Sequence, residues 1–224
     1  MIDLLNFKIN NILDIGANVG DFSSYMSGLF PQAHILMIEA NQKCEENLRL
    51  LPFDYKIAVL SDINKWVDFY FNETNAKSTG NSYYLEDTKY FENNYITQKI
   101  YTHTLDQITE DIDKDFDFIK LDTQGSELDI LKGGIKTISK SKFILVECST
   151  IKERLYNNGS PHSNDVIEFM KNVGFERHYV VEEHKWWEKD PSIAHYSYGE
   201  IFQKDFMFIA DNVNLNKQKL ITYC

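Results

Sequence analysis

Apolar residues along this chain fall into short unbroken runs that alternate with stretches of helical spacing. Asn11–Ile15 is the first run. The turn Gly16-Ala17-Asn18-Val19-Gly20 follows, and then Phe22, Tyr25, Met26 and Leu29 recur at helical intervals as far as Pro31. His34–Glu39 predicts a second strand, Gln42–Leu51 a second helix ended by Pro52, and Tyr55–Leu60 a third strand. Phe116–Leu121 and Phe143–Glu147 predict a fourth and a fifth, with a helix from about Glu127 to Ser139 between them. His162–Val173 reads as a helix, Phe175–Val181 as a strand and Phe206–Ile209 as the last strand. Strands that are apolar throughout and alternate with helices predict an α/β fold, a doubly wound and mostly parallel sheet covered on both faces.

Two stretches break the rhythm. Between the third and fourth strands, Trp66–Phe71 alternates as a half-buried strand, Thr74–Asn94 is polar and punctuated by tyrosines as a loop would be, and Lys99–Thr104 predicts another strand before a short helix at Leu105–Ile108. Near the C-terminal end, the polar and aromatic excursion EEHKWWEKDPSIAHYSYGE separates two strands. No internal repeat or linker divides the chain. The expectation is one domain over residues 1–224 with substrate-facing insertions at 73–98 and 182–200.

Composition narrows the partners. Lys and Arg total 23 against 34 Asp and Glu, a net charge of −11. That balance argues against nucleic acid, whose phosphates demand basic surface. No apolar run is long enough to span a bilayer, and the opening MIDLLNFKIN lacks the pattern of a secretory leader. Cys44, Cys148 and Cys224 are odd in number and widely spaced, which suits reduced thiols in a cytoplasmic protein.

Candidate chemistry begins at the first turn. Glycines there let the backbone turn tightly and approach a ligand, and the next helix offers free N–H groups. The spacing is GxxxG rather than GxGxxG, and Asp14 precedes it. An acid in that place repels a pyrophosphate and suits a cationic ligand. This favours S-adenosylmethionine (SAM), with its ammonium and sulfonium, over a nicotinamide dinucleotide. Glu39 ends the second strand about 20 residues further on, where an acid accepts hydrogen bonds from a ribose diol. Asp122 ends the fourth strand beside the switch point of the sheet; it either holds or deprotonates an acceptor hydroxyl, or caps the helix that follows. Glu147, ending the fifth strand, faces the same choice, and Glu127 suits the first turn of its helix.

The runs NILDIGANVGDFS, MIEAN, KIAVLSD, HTLDQI, DFIKLDTQGSELDILKGG and FILVE, in that order over residues 11 to 147, resemble the successive motifs of the FkbM-type family of SAM-dependent methyltransferases. The resemblance implies a class I methyltransferase fold, with a seven-stranded sheet whose last strand is antiparallel. It also implies O-methylation of a hydroxyl on a sugar or a secondary metabolite. Carried over residue by residue, it makes Asp14, Gly16, Ala17, Asn18 and Gly20 the SAM loop, Glu39 with Ala40 the ribose site, and Ala58, Ser61 and Asp62 the neighbours of the adenine. Asp122 and Glu127 match the acidic pair of the fourth motif. Gln124 stands where the family usually has Glu, which removes a carboxylate and with it the expectation of a metal.

Histidines offer alternative bases. Of His103, His162, His184 and His195, the last two stand out because Trp186, Trp187, Tyr196 and Tyr198 flank them. Such rings could face a sugar or form a dimer contact. The catalytic set expected is therefore Asp122, Glu147 and His195, acting on a carbohydrate or small-molecule hydroxyl, with a homodimer possible. The competing readings are a nicotinamide-dependent oxidoreductase or epimerase and a non-catalytic SAM-binding partner protein.

Overall fold

The computed structural model describes residues 3–150, 155–156, 159–190 and 197–215. The first apolar run forms β1 (Asn11–Ile15), leading to α1 (Asp21–Leu29), β2 (His34–Glu39), α2 (Glu45–Leu48) and β3 (Asp54–Ile57). A hairpin-like pair, β4 (Trp66–Asn72) and β5 (Tyr95–Tyr101), precedes α3 (Leu105–Ile108) and β6 (Phe118–Leu121). Then come α4 (Glu127–Lys132), α5 (Ile135–Ile138), β7 (Phe143–Ser149), α6 (Ser163–Asn172), β8 (Arg177–Lys185) and β9 (Ile201–Ile209).

Seven of these strands form one sheet in the order β3-β2-β1-β6-β7-β9-β8. β9 runs antiparallel to both neighbours, and the other pairings are parallel. β4 and β5 form a separate antiparallel pair. The central strands are apolar on both faces because helices cover both. Leu13, Ile119, Ile144 and Val146 pack under α4 and α6, while Ile12, Phe118, Phe143 and Met26 of α1 pack on the other side. The chain leaves β1 toward β2 on one side and returns to β6 on the other. The carboxyl ends of β1 and β6 therefore flank a switch point, the crevice in which open α/β sheets bind ligands.

Several boundaries differ from the sequence expectation. The helix expected over 127–139 is broken at Gly133-Gly134, because the chain there passes so close to its neighbours that a Cβ on Gly133 would lie 2.2 Å from the Ser61 carbonyl oxygen. The helix over 42–51 contracts to a 3-10 turn at Gln42–Cys44 and α2. β5 both begins and ends earlier than the strand expected over 99–104; most of its residues are exposed and leave no alternation to read. The excursion at 182–200 is likewise part strand. β8 continues to Lys185, and Glu182, Glu183 and His184 pair with β9. β8 is the sheet's edge, where charged residues are tolerated and keep other chains from pairing, so its polar end reads as loop. The stretch 74–94 is irregular but well packed, burying Ser82, Thr88 and Phe91.

Candidate active site

The turn after β1 is built by backbone approach. Gly16 adopts φ +79°, and a Cβ on it would lie 1.9 Å from the Asp122 carbonyl oxygen, so only glycine fits between β1 and the end of β6. The N–H groups of Gly16 and Ala17 both donate to the Ile38 carbonyl, tying the turn to β2. Asp14 is wholly buried beneath it. One of its oxygens accepts from the Ser23 hydroxyl at 2.7 Å, and the other faces the Lys120 ammonium at 3.9 Å. Burial raises the Asp14 carboxyl above its usual value, and Lys120 opposes the rise.

Glu39 accepts from the backbone N–H of Asn18 and of Asn41, each at 2.7 Å. Burial raises its carboxyl despite these bonds. The carboxylate thus holds the two loops after β1 and β2 in one arrangement, and Asn18 sits at φ 49° as a result of that turn. Over these loops lies a strap from the 74–94 segment. The Ala76 carbonyl accepts from the Asn41 side chain at 2.8 Å and the Lys77 carbonyl from the Asn18 side chain at 3.2 Å. The Lys77 ammonium reaches Glu46 and Asn47, and the Ser82 hydroxyl donates to the Thr123 carbonyl.

Between strap and sheet is a cavity of about 80 Å³. Of the residues singled out from sequence, Gly16, Asn18, Glu39, Ala40, Ala58 and Asp122 line it, joined by Val59, Leu60, Tyr83, Thr123 and Gln124. Asp14, Ala17 and Gly20 do not line it. Ser61 and Asp62 are turned to other partners, Ser61 to Tyr83 and Asp62 to Lys65.

Asp122 does not cap α4. Its carboxylate accepts from the Lys120 ammonium at 3.0 Å and from the Gln124 amide at 2.7 Å. Burial would raise it, but these two donors outweigh burial and hold it below the usual carboxylate range. Lys120 is pushed up to about 12: burial lowers it, and the facing carboxylates of Asp122 and Asp14 more than compensate. The loop before α4 is instead braced by Glu127, which accepts from the backbone N–H groups of Thr123 and Gly125.

Gln124 joins the site to the neighbouring strand β7. Its amide nitrogen donates to Asp122 and, at 2.9 Å, to Glu147, while its oxygen accepts from the Tyr156 hydroxyl at 2.6 Å. Glu147 is therefore drawn toward Asp122 through one amide. Burial, then the charge of Asp122, raises the Glu147 carboxyl well above its usual value. Glu147 also faces His184, which lies 3.1 Å from Asp205.

His195 lies outside the described residues. His162 caps α6 through a reciprocal capping box, and His103 sits beside Gln107. The two tryptophan rings pack on each other, with centroids 4.7 Å apart, but differ in exposure: Trp186 is 2% exposed in a cluster with Leu155, Tyr156 and Phe202, and Trp187 is 59% exposed. Sequence reasoning missed Lys120, Gln203 and Asp205. Their signal is a charge or amide within an otherwise apolar strand, FIKL in β6 and IFQKDFMFI in β9.

The family model described as the methyltransferase FkbM domain matches residues 14–177. A 2-O-methyltransferase NoeI of Sinorhizobium fredii is 28% identical over 180 residues, covering 72% of this chain and 71% of that protein. Among solved structures, a precorrin-6y C5,15-methyltransferase from Geobacter metallireducens superposes with a TM-score of 0.47 at 13% identity, over 92% of this chain and 84% of that one. The Methanococcus jannaschii fibrillarin pre-rRNA processing protein gives 0.48 at 14%, over 94% and 70%. No helix among the described residues is long and apolar enough to cross a membrane. With the family model spanning well over half of its length, this chain belongs to the FkbM methyltransferase family and is a SAM-dependent methyltransferase.

Proposed function

We propose that the chain methylates a hydroxyl of a sugar, glycan or glycosylated metabolite, with Asp122 holding that hydroxyl and receiving its proton. The observation that carries this reading is the Asp122 carboxylate, set at the end of β6 on the wall of the cavity and oriented by Lys120 and Gln124. The 2-O position named for the Sinorhizobium relative supports a hydroxyl acceptor. The exposed face of Trp187 suits the apolar side of a sugar ring.

The residues present fit SAM. Asp14 keeps a buried carboxylate oxygen with no hydrogen-bond donor, and Glu39 retains acceptor capacity beyond its two backbone bonds. When bound, SAM supplies an activated methyl group. Glu39 would accept from its ribose hydroxyls, the turn at Gly16 would leave room beside it, and Ala58, Val59 and Leu60 would form an apolar wall for the adenine. Asp122 accepts a hydrogen bond from the acceptor hydroxyl and aims the oxygen's lone pair. An ether oxygen that still carries its proton is a strong acid. A carboxylate held below its usual range is thus basic enough to take that proton. The reading carries with it a cytoplasmic enzyme, a single domain with its acceptor-facing elements at 73–98 and 182–200, no nucleic-acid partner, and a homodimer as the assembly to look for.

The test is Asp122→Asn, which keeps the shape but cannot take a proton. A positioned proton acceptor contributes typically 10²–10⁴-fold. We expect kcat for methyl transfer to fall at least about a hundredfold, with SAM affinity close to wild type. Retention of more than about a tenth of the rate removes Asp122 from this role.

A further inference from the structure

Away from the cofactor crevice, the carboxyl end of β7 and the last two strands gather a second set of polar groups. β7 and β9 are antiparallel and set Glu147 directly opposite Asp205; β8 sets Glu182 opposite Asp205 in turn. Like charges directly opposed across strands are destabilising unless something compensates them. Asp14 and Asp122 have Lys120 for this purpose. Among the described residues no lysine or arginine forms an ion pair with Glu147 or Asp205; His184 faces both, and Glu147 also shares a hydrogen bond with Asp122.

The backbone goes out of its way to bring that histidine in. A register shift between Val180 and Glu182 changes the parity of β8, so that His184 comes opposite Gln203, on the face that Glu147 and Asp205 share. Bulges of this kind re-aim a side chain and recur beside functional sites. As a result one imidazole nitrogen and one oxygen from each carboxylate lie within 4.8 Å of one another, with the imidazole 3.1 Å from Asp205 and 3.7 Å from Glu147.

Groups outside the trio fix Glu147. The Gln203 and Gln124 amides both donate to its Oε2, at 2.9 Å each, and the Tyr156 hydroxyl fixes the amide of Gln124 in turn. Oε1 is the oxygen left to face His184. Ligating carboxylates are held in this way by outer hydrogen-bond partners.

We propose that Glu147, His184 and Asp205 bind a divalent transition-metal ion. One imidazole and two carboxylates suit zinc, manganese or iron, and three protein ligands leave positions open to water or to an oxygen of a bound molecule. The ion sits one amide away from Asp122, through Gln124. The proposal departs from the expectation of no metal drawn from Gln124: the glutamine takes no ligand position but steadies one ligand. The site stands on its own geometry and does not depend on which acceptor is methylated.

The test is calorimetric titration of the chelator-treated full-length chain with Mn²⁺ and with Zn²⁺, backed by the electron paramagnetic resonance spectrum of bound Mn²⁺. We expect one ion per chain. His184→Ala and the isosteric Asp205→Asn should each weaken it at least about a hundredfold, and Gln203→Met, which removes an outer partner, by roughly 10–100-fold. His184 is partly exposed on an edge strand, so its loss should spare the fold; unchanged SAM affinity in the same variants verifies this. Failure of the wild type to bind one ion, or equal binding by the His184 and Asp205 variants, overturns the proposal. Loss of SAM binding by a wild type that still takes the metal would count against the proposed function instead.

Discussion

Glu39 is the side chain on which the cofactor end of the site depends most, and Glu39→Gln isolates its charge without changing its volume. In the native arrangement its two oxygens each accept a backbone N–H at 2.7 Å, from Asn18 and from Asn41. An amide keeps one acceptor and places an NH₂ group against the other N–H, so one buried donor loses its partner. Leaving a buried donor unsatisfied costs about 1–3 kcal/mol. For a chain of this length each kcal/mol lowers Tm by roughly 2–4 °C, which puts the expected fall at roughly 2–12 °C. The second effect is on SAM. A hydrogen bond to a charged acceptor contributes about 1.5–3 kcal/mol, and each 1.4 kcal/mol is tenfold, so affinity should weaken roughly ten- to a hundredfold. Differential scanning fluorimetry reads the first and isothermal titration the second. If SAM affinity is unchanged while Tm falls, Glu39 only braces the two loops, and its assignment to the ribose is refuted.

Two further outcomes follow from the same geometry. Trp186→Ala should destabilise the chain by about 3–5 kcal/mol, as large core truncations do, whereas Trp187→Ala, which removes a half-exposed ring packed on Trp186 and Phe202, should cost less and raise the acceptor KM; equal effects on Tm would mean that burial does not separate the two rings. The cavity of about 80 Å³ is well below the roughly 300–1,000 Å³ of small-molecule sites, so the strap at 76–83 must lift to admit SAM. Lys77→Ala, which releases Glu46 and Asn47, should speed amide exchange across the strap and the entry of SAM; unchanged exchange would show that the strap is anchored elsewhere.

The parallel centre of the sheet was legible because β1, β2, β6 and β7 are buried on both faces, and such strands carry unbroken apolar runs. The far end of β8 was not. Its first half was expected as strand over 175–181, but residues 182–185 are polar and lie on the sheet's edge, so only their pairing with β9 reveals them as strand. The switch-point residues Gly16, Glu39 and Asp122 could be placed from sequence because each is fixed by its distance from a strand end. Lys120 and Asp205 could not, since what matters about them is the neighbour across the sheet. Lys120 stands beside Asp14 only because β1 and β6, far apart in sequence, pair in parallel. Asp205 meets Glu147 only because β9 inserts between β7 and β8. Whether Trp186 or Trp187 faced solvent was equally a matter of tertiary packing, settled by Phe202 and Tyr156.

The most direct test of the account incubates the purified chain with SAM carrying an isotopically labelled methyl group and a panel of free and glycosidically linked hexoses and deoxyhexoses, with amine and thiol acceptors alongside. Mass spectrometry then locates the label. The account predicts S-adenosylhomocysteine formed in step with a sugar methylated on oxygen, and no more than background on the amines and thiols. Label appearing on nitrogen or sulfur, with every hydroxyl untouched, would contradict it.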